Sequence, residues 1–448
     1  MATIEVRRQF FSAISANFIG FSFGWACAWA NVNFLELQSP NTKLQDGPIS
    51  YDEASLVMSL ICAGGLMGNI VYLWALDKFG RKKPIMFLAF PTILSWTFII
   101  FAKNAYWLYI SRVLCGFIGG GLFISIPIFV SEICSDSIRG TMNAMGFLVN
   151  SLGSLVGFTV AIFLDFQMQA VSALSVPILF AFVFYFVPES PMILYKKNEI
   201  ELADMSLEFY KGVTTTPELE KFMTEKKTPK DNGLSISDFV GTRSTRRAVS
   251  IALFLVFLPQ FCGCYILLSY TTPFFAEAGS SLTPIQSSIL ICVVQLLANF
   301  LTMFLIDRIG RRILFTLSSI GAGVGMLVLA LHRLYKDELP ESNWIPMYGL
   351  SITIFIASIG LIPVPFIITI DVLPPKIRNT TMTITSMIMW VLGFSTNIAY
   401  LYLLQIIKLH GCLLVFSAGC FACAMYALIF IPETKGKSPE SVEKLLES

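Results

Sequence analysis

The chain has 448 residues, of which 55% are hydrophobic and only 13% charged, and its mean hydropathy is +0.71. Soluble domains carry about 25% charged residues, so a water-soluble fold of this composition would expose too much apolar surface, and the solvent for most of the chain must be lipid. A net charge of +2 and a pI near 8.0 leave no electrostatic footprint for nucleic acid or an acidic partner.

The apolar residues gather in blocks of about 20, the length that crosses a hydrocarbon core of roughly 30 Å. Six lie at positions 10–35, 53–76, 84–102, 106–131, 141–164 and 170–187. The first runs past Trp29 without a small-residue cleavage site and so reads as a span, not a cleaved signal. A polar stretch follows at 188–247, where Glu199, Glu201, Glu218 and Glu220 lie among lysines; it fits either short amphipathic helices or a solvated linker. Six further blocks lie at 248–276, 284–306, 313–334, 344–370, 380–405 and 410–431. The expected architecture is an all-α integral membrane protein with twelve transmembrane helices in two six-helix halves. These are an N-terminal half (1–187), a central loop (188–247), a C-terminal half (248–431) and a tail (432–448).

Sides alternate at each span, and one assignment places 25 of the 31 Lys and Arg residues on the side of the termini, the central loop and the loops after even-numbered spans. The positive-inside rule then makes both termini cytoplasmic. Five of the rest (Lys43, Lys103, Arg333, Lys336 and Lys408) fall on the other side, and Arg112 lies inside span four.

Three motifs occur twice in the same order. Asp77-Lys78-Phe79-Gly80-Arg81-Lys82 follows span two, and Asp307-Arg308-Ile309-Gly310-Arg311-Arg312 follows span eight. Glu132 precedes Arg139 by seven positions, as Asp371 precedes Arg378. Pro188-Glu189-Ser190 closes span six and Pro432-Glu433-Thr434 closes span twelve. Such six-plus-six parallel repeats build one large class of secondary transporters. Gly80 and Gly310 suit the tight reversals between helix ends. The charges form a candidate cytoplasmic gate of Asp77, Arg81, Glu132, Arg139 and Glu189 with Asp307, Arg311, Asp371, Arg378 and Glu433, in which ion pairs between the halves would shut that face. Serving only as helix-end anchors that set topology is the other reading.

These residues carry a resemblance to the sugar porter family of the major facilitator superfamily. Pro127-Ile128-Phe129-Val130-Ser131-Glu132-Ile133 with Arg139-Gly140 downstream is similar to its span-four signature, with Phe129 in place of the usual tyrosine. Arg112, Gly116 and the run Gly119 to Gly121 also match, and Pro432-Glu433-Thr434-Lys435-Gly436 is its terminal signature. The likeness covers nearly the whole chain. From Asp371 to Arg378, with Leu373-Pro374 and Lys376-Ile377, it most resembles the insect facilitated trehalose transporters.

The resemblance implies the major facilitator fold and a solute path between the halves, where a sugar needs paired donors and acceptors beside aromatic faces. Carried over residue by residue, it gives Gln260, Tyr265 and Tyr270 in span seven, Gln295 in span eight, Asn150 in span five, Phe366 in span ten and Trp390 in span eleven as substrate-binding candidates. Phe147, Phe366 and Met389 stand where the family has a glutamine, a tryptophan and an asparagine, so the site is less polar than a usual hexose site. Gly360, Pro363 and Pro365 interrupt span ten, as a gate helix or a fixed kink. Proton-driven relatives carry an acid in span one, and Gly20 to Trp29 holds none. The expectation is a facilitative uniporter of a sugar such as trehalose or a hexose, working by alternating access in the plasma membrane. A transporter of another small solute and a non-transporting nutrient receptor are the alternatives. Its partners are the solute and the lipid bilayer; no nucleic acid, cofactor, metal or enzymatic activity is expected, since catalytic nucleophile, phosphate loop and ligand cluster are all lacking.

Overall fold

The computed structural model describes residues 4–213, 236–278, 282–335, 344–435 and 439–447. Among them, eleven helices are long and apolar enough to cross a membrane. Spans one to six are Ile4–Leu37, Tyr51–Phe79, Lys82–Ile100, Ala105–Ile133, Thr141–Val160 and Phe166–Tyr185. Spans seven to ten are Arg243–Cys262, Pro284–Thr302, Arg311–Leu334 and Ile345–Val372. The eleventh helix, Thr380–Phe430, has 51 residues, about 77 Å at 1.5 Å per residue and more than twice the hydrocarbon core. It breaks at Lys408, where φ is 57° and ψ 177°, so its two legs serve as spans eleven and twelve. Span seven begins at Arg243, five residues earlier than its apolar block, because Thr242 caps the helix by accepting the Thr245 N–H at 3.1 Å.

Capping boxes start spans two and eight. Ser50 accepts from the Glu53 N–H while Glu53 accepts from the Ser50 N–H, and Thr283 with Gln286 repeats the arrangement ahead of Pro284. Lipid gives helices no hydrophobic drive to associate, so close backbone approach through small residues does the work. A Cβ on Gly116 would lie 1.9 Å from the Ile61 carbonyl oxygen and one on Gly120 would lie 2.2 Å from that of Gly65, which fixes span four against span two. Arg112 is 3% exposed inside the N-terminal half and satisfies its charge with backbone, donating from Nε to Val57 O at 3.1 Å and from Nη1 to Ala26 O at 2.9 Å. The outward faces carry large apolar side chains such as Phe90, Phe182 and Ile406, which lipid covers in a multi-pass membrane protein.

Among the described residues the central stretch forms three short helices: Ile236–Val240 leads into span seven, and ahead of it come Pro191–Lys196 and Ile200–Lys211. The last two dock on the N-terminal half, where Gln9 donates to Tyr210 O at 2.7 Å. Glu218 and Glu220 lie outside the described residues. The halves pack through spans two and eleven and spans five and eight. Asn69 donates to Ser386 Oγ at 2.7 Å in the first pair, and Asn299 to Ser151 Oγ at 3.2 Å in the second.

Candidate functional site

Two broken helices meet in the middle of the C-terminal half. Span seven runs helically to Phe257, passes through a 3-10 turn over Leu258–Cys262 and reverses hand at Gly263, whose φ is 71°. Pro259 withholds an N–H there, and a Cβ on Gly263 would lie 2.2 Å from the Phe416 ring, so only glycine fits the turn and the contact. Span ten stops at Ile359 and resumes at Val364. Ser318 of span nine fills that gap, accepting the Leu361 N–H at 2.9 Å and donating to Ile356 O. Tyr265 Oη donates to Ile362 O at 3.4 Å, tying one break to the other.

Between the breaks lies a small pocket lined by Leu255, Val256, Pro259, Gln260, Tyr265, Pro365, Phe366 and Met389. It brings together three of the seven substrate-binding candidates: Gln260, Tyr265 and Phe366. Gln260 is 6% exposed, and of the polar side chains on this wall Tyr265 already spends its hydroxyl on Ile362 O. Trp390 follows Met389 but turns toward the N-terminal half, with its ring 6.4 Å from Phe123 and so close to span two that a Cβ on Gly65 would lie 2.4 Å from it. Its buried Nε1 has no hydrogen-bond partner. Asn150 packs on span one with its Oδ1 buried and equally unpartnered. Gln295 is half-buried on span eight, outside the pocket lining. Tyr270 is elsewhere: it sits between Phe34, at 5.7 Å, and Tyr400, at 5.2 Å, toward the face opposite the termini.

Asn69 and Asn397 went unremarked in the sequence. Each has a buried Oδ1 without a partner while its Nδ2 is engaged, and an amide inside an apolar block was the available signal. Asn31 belongs with them, since its side chain bonds to span seven of the other half. Cys262 Sγ lies 3.4 Å from Cys423 Sγ in a packed thiol cluster. Among the described residues no group of three or more His, Cys, Asp or Glu is arranged to hold a metal ion.

The charged motifs form the same network twice at the face carrying the termini. In the first, Arg81 Nε and Nη2 donate to Glu132 Oε1 at 3.0 and 2.9 Å, and Ser190 Oγ donates to Oε2. Glu189 accepts the backbone N–H groups of Arg81 and Lys82 at 3.1 and 2.9 Å. In the second, Arg311 Nε lies 3.5 Å from Asp371 Oδ2, which accepts from Thr434 Oγ1 at 2.8 Å. Glu433 accepts the N–H groups of Arg311 and Arg312 at 3.0 and 3.2 Å. Gly80 and Gly310 hold φ of 100° and 105° against those two glutamates, and a Cβ would lie 2.5 and 2.8 Å from their oxygens. Asp77 makes a 3.7 Å pair with Lys196, both largely exposed, and Arg378 caps Leu373 O at 3.1 Å. The side chains of Arg139 and Asp307 lie outside the described residues.

Among the described residues these ion pairs join residues of the same half, because each acid is held by the loop and the closing motif of its own repeat. The cross-half hydrogen bonds and ring contacts among the described residues lie in the middle of the bundle or toward the opposite face, as with Asp52 and Tyr402 at 3.3 Å.

A family model described as "Sugar (and other) transporter" matches residues 12–446. The facilitated trehalose transporter Tret1 of Bombyx mori is 29% identical over 89% of this chain and 80% of its own length. Its namesake in Drosophila mojavensis is 27% identical over 98% of this chain but 52% of its own length, so the chain spans about half of that relative. Among solved structures, the proton:xylose symporter XylE bound to 6-bromo-6-deoxy-D-glucose aligns with a TM-score of 0.79 at 18% identity, covering 99% of this chain and 100% of the other. The inward open conformation of XylE from E. coli aligns with a TM-score of 0.80 at 18% identity, over 98% and 99% of the two chains. These two show the fold, that of the major facilitator superfamily.

Proposed function

The chain belongs to the sugar (and other) transporter family, and from that premise we propose that it is a facilitative carrier moving a sugar down its gradient by alternating access. The observation that carries this is the pocket where the broken spans seven and ten meet, with the Gln260 amide beside Tyr265 and the Phe366 ring. Helix breaks leave backbone polar groups that lipid cannot satisfy, so they belong beside a cavity. Trehalose is the leading substrate because the relatives from Bombyx mori and Drosophila mojavensis are named for it. Uniport is supported by the sequence from Gly20 to Trp29, which holds no Asp or Glu.

The unpartnered Trp390 Nε1 and Asn150 Oδ1 supply a donor and an acceptor on the solute path, and Gln295 and Tyr270 line its course above the pocket. The two six-helix halves, 1–187 and 248–431, move as bodies about the path, with the stretch 188–247 and the tail 432–448 at the face of the termini. That face is cytoplasmic by the charge bias, in the plasma membrane. Asp77, Arg81, Glu132, Arg139 and Glu189, with Asp307, Arg311, Asp371, Arg378 and Glu433, form its gate: same-half pairing belongs to the conformer whose halves meet at the other face, and pairs are exchanged when the terminal face closes.

Uptake of radiolabelled trehalose, glucose and polyols into oocytes tests the reading. Saturable, protonophore-insensitive sugar uptake supports it, and accumulation above the external concentration refutes uniport. The mostly apolar lining, Leu255, Val256, Pro259, Pro365, Phe366 and Met389, favours a second reading, a less polar solute, which the same panel detects as preference for deoxy sugars over the parent compounds.

A further inference from the structure

The turn that carries Gln260 is held from behind. A helix that stops inside a bundle leaves carbonyls that a neighbouring element must satisfy, and the neighbour here is span twelve. Cys420 Sγ donates to Cys262 O at 3.7 Å, joined from within span seven by Cys264 Sγ at 3.8 Å. Cys423 Sγ lies 3.4 Å from Cys262 Sγ, which itself reaches Leu258 O at 3.8 Å. A Cβ on Gly419 would fall on the Phe261 carbonyl, 2.8 Å from its carbon, so the two backbones touch there. Phe416, 5% exposed and backed by the Tyr400 ring at 6.0 Å, closes on Gly263. Positions 416, 419, 420 and 423 form one stripe of a helix, and the whole stripe falls on Phe261, Cys262 and Gly263. None of the four is among the residues lining the pocket. Among the described residues the N-terminal half has no counterpart. Counted back from Pro432 to its repeat partner Pro188, the four positions fall on Ser172, Ser175, Val176 and Leu179; Ser175 and Leu179 are exposed, and span one has no positive φ. The stripe therefore accompanies the break, not the repeat.

We propose that span twelve aims Gln260 into the pocket, with Gly419 and Cys420 as positioning residues that act through the Phe261–Cys262 peptide. Gln260 adjoins that peptide, so a displacement of the turn passes to its side chain with no intervening bend to absorb it. A methyl on Gly419 needs about 1 Å more room than the Phe261 carbonyl leaves it. Hydrogen bonds are lost over shifts of that size, since their useful range spans only about 2.7–3.2 Å. Removing the Cys420 thiol acts in the other direction, by freeing the Cys262 carbonyl from a partner instead of pushing on it. The inference rests on the pocket reading above, and one of its two measurements needs no transported solute.

The first measurement is hydrogen–deuterium exchange over the peptide 258–265 in the purified full chain in lipid nanodiscs. Gly419→Ala and Cys420→Ala should each quicken exchange there, whereas Cys420→Ser keeps a donor for the Cys262 carbonyl and should match the parent. The second is the KM for radiolabelled trehalose in oocytes, normalised to surface protein. Gly419→Ala and Cys420→Ala should raise it on the order of 5-fold, the loss of one hydrogen bond, with the maximal rate unchanged. In a Gln260→Leu background they should add nothing, because the group they aim is gone. A stripe that merely packs two helices would instead add its effect to that of Gln260→Leu, and additivity overturns the proposal. Unchanged exchange in Cys420→Ala overturns it as well, even if Gly419→Ala fails to fold. Quickened exchange in a chain that takes up no trehalose would uphold the hold of span twelve on the turn and refute the assigned substrate instead.

Discussion

Replacing Gln260 with leucine tests the pocket most directly. The amide is 6% exposed and stands on a wall of Leu255, Val256, Pro259, Pro365 and Met389, with the Tyr265 hydroxyl already donating to Ile362 O. On the proposed reading it is therefore the principal polar contact of this pocket for a sugar hydroxyl pair. Leucine keeps most of the volume and deletes both the donor and the acceptor. Two neutral hydrogen bonds at about 1 kcal/mol net each amount to about 2 kcal/mol, or roughly 30-fold in affinity. Concentration-dependent uptake in oocytes, normalised to surface protein, should show KM rising by that factor with expression unchanged. Tyr265→Phe should change KM far less, because its hydroxyl serves span ten. An unchanged KM for Gln260→Leu would refute the assignment of this pocket to sugar binding, and a lowered KM for deoxy sugars would favour the less polar solute.

Three further outcomes follow from the geometry. Glu132→Gln should destabilise the purified chain more than Asp371→Asn, by about 1–3 kcal/mol against under 1, because Glu132 holds Arg81 through two bonds near 3 Å with side chains 16% and 13% exposed, while Asp371 meets Arg311 at 3.5 Å with 30% and 19% exposed; equal thermal shifts would remove the distinction. Gly65→Ala puts a methyl 2.4 Å from the Trp390 ring and should cost about 1–3 kcal/mol, most of it recovered in the Gly65→Ala/Trp390→Leu double variant, and an additive double-mutant cycle would show that the two do not touch. At the opposite face, the Lys43 ammonium hydrogen-bonded to Asp165, and secondarily the Met168 N–H, hold the Asp165 carboxyl below its ordinary value. A lowered folded value means that this stabilisation is present above about pH 4, the ordinary carboxyl value, and is lost as pH falls through the lower one. The melting difference between the parent and Asp165→Asn should accordingly be constant from pH 7 to 5 and shrink below about pH 4; a difference that grew on acidification would contradict the assignment.

Much of the molecule was legible in the order of its residues because lipid imposes one-dimensional rules. Span count follows from block length, and the repeat from motifs such as Gly80-Arg81 and Gly310-Arg311, whose positive φ and contact with Glu189 and Glu433 leave no substitute for glycine. The charged residues of the two loops lie beside the acids of their own repeat for the same reason: each short loop holds them within reach. Whether Glu132 pairs across the halves or within one was not legible, because sequence separation says nothing about which of two reachable cations lies nearer. Nor was the pocket at the helix breaks. Gln260, Tyr265 and Phe366 converge only because two helices break at matching depth, whereas Trp390, one residue from the pocket, turns away through 100° of helix rotation. Asn31 shows the limit most clearly. Read along the chain it is one polar residue in an apolar block; its hydrogen bonds fall on Leu268 and Thr272, 237 and 241 positions away, and only tertiary structure brings a side chain to backbone groups that distant.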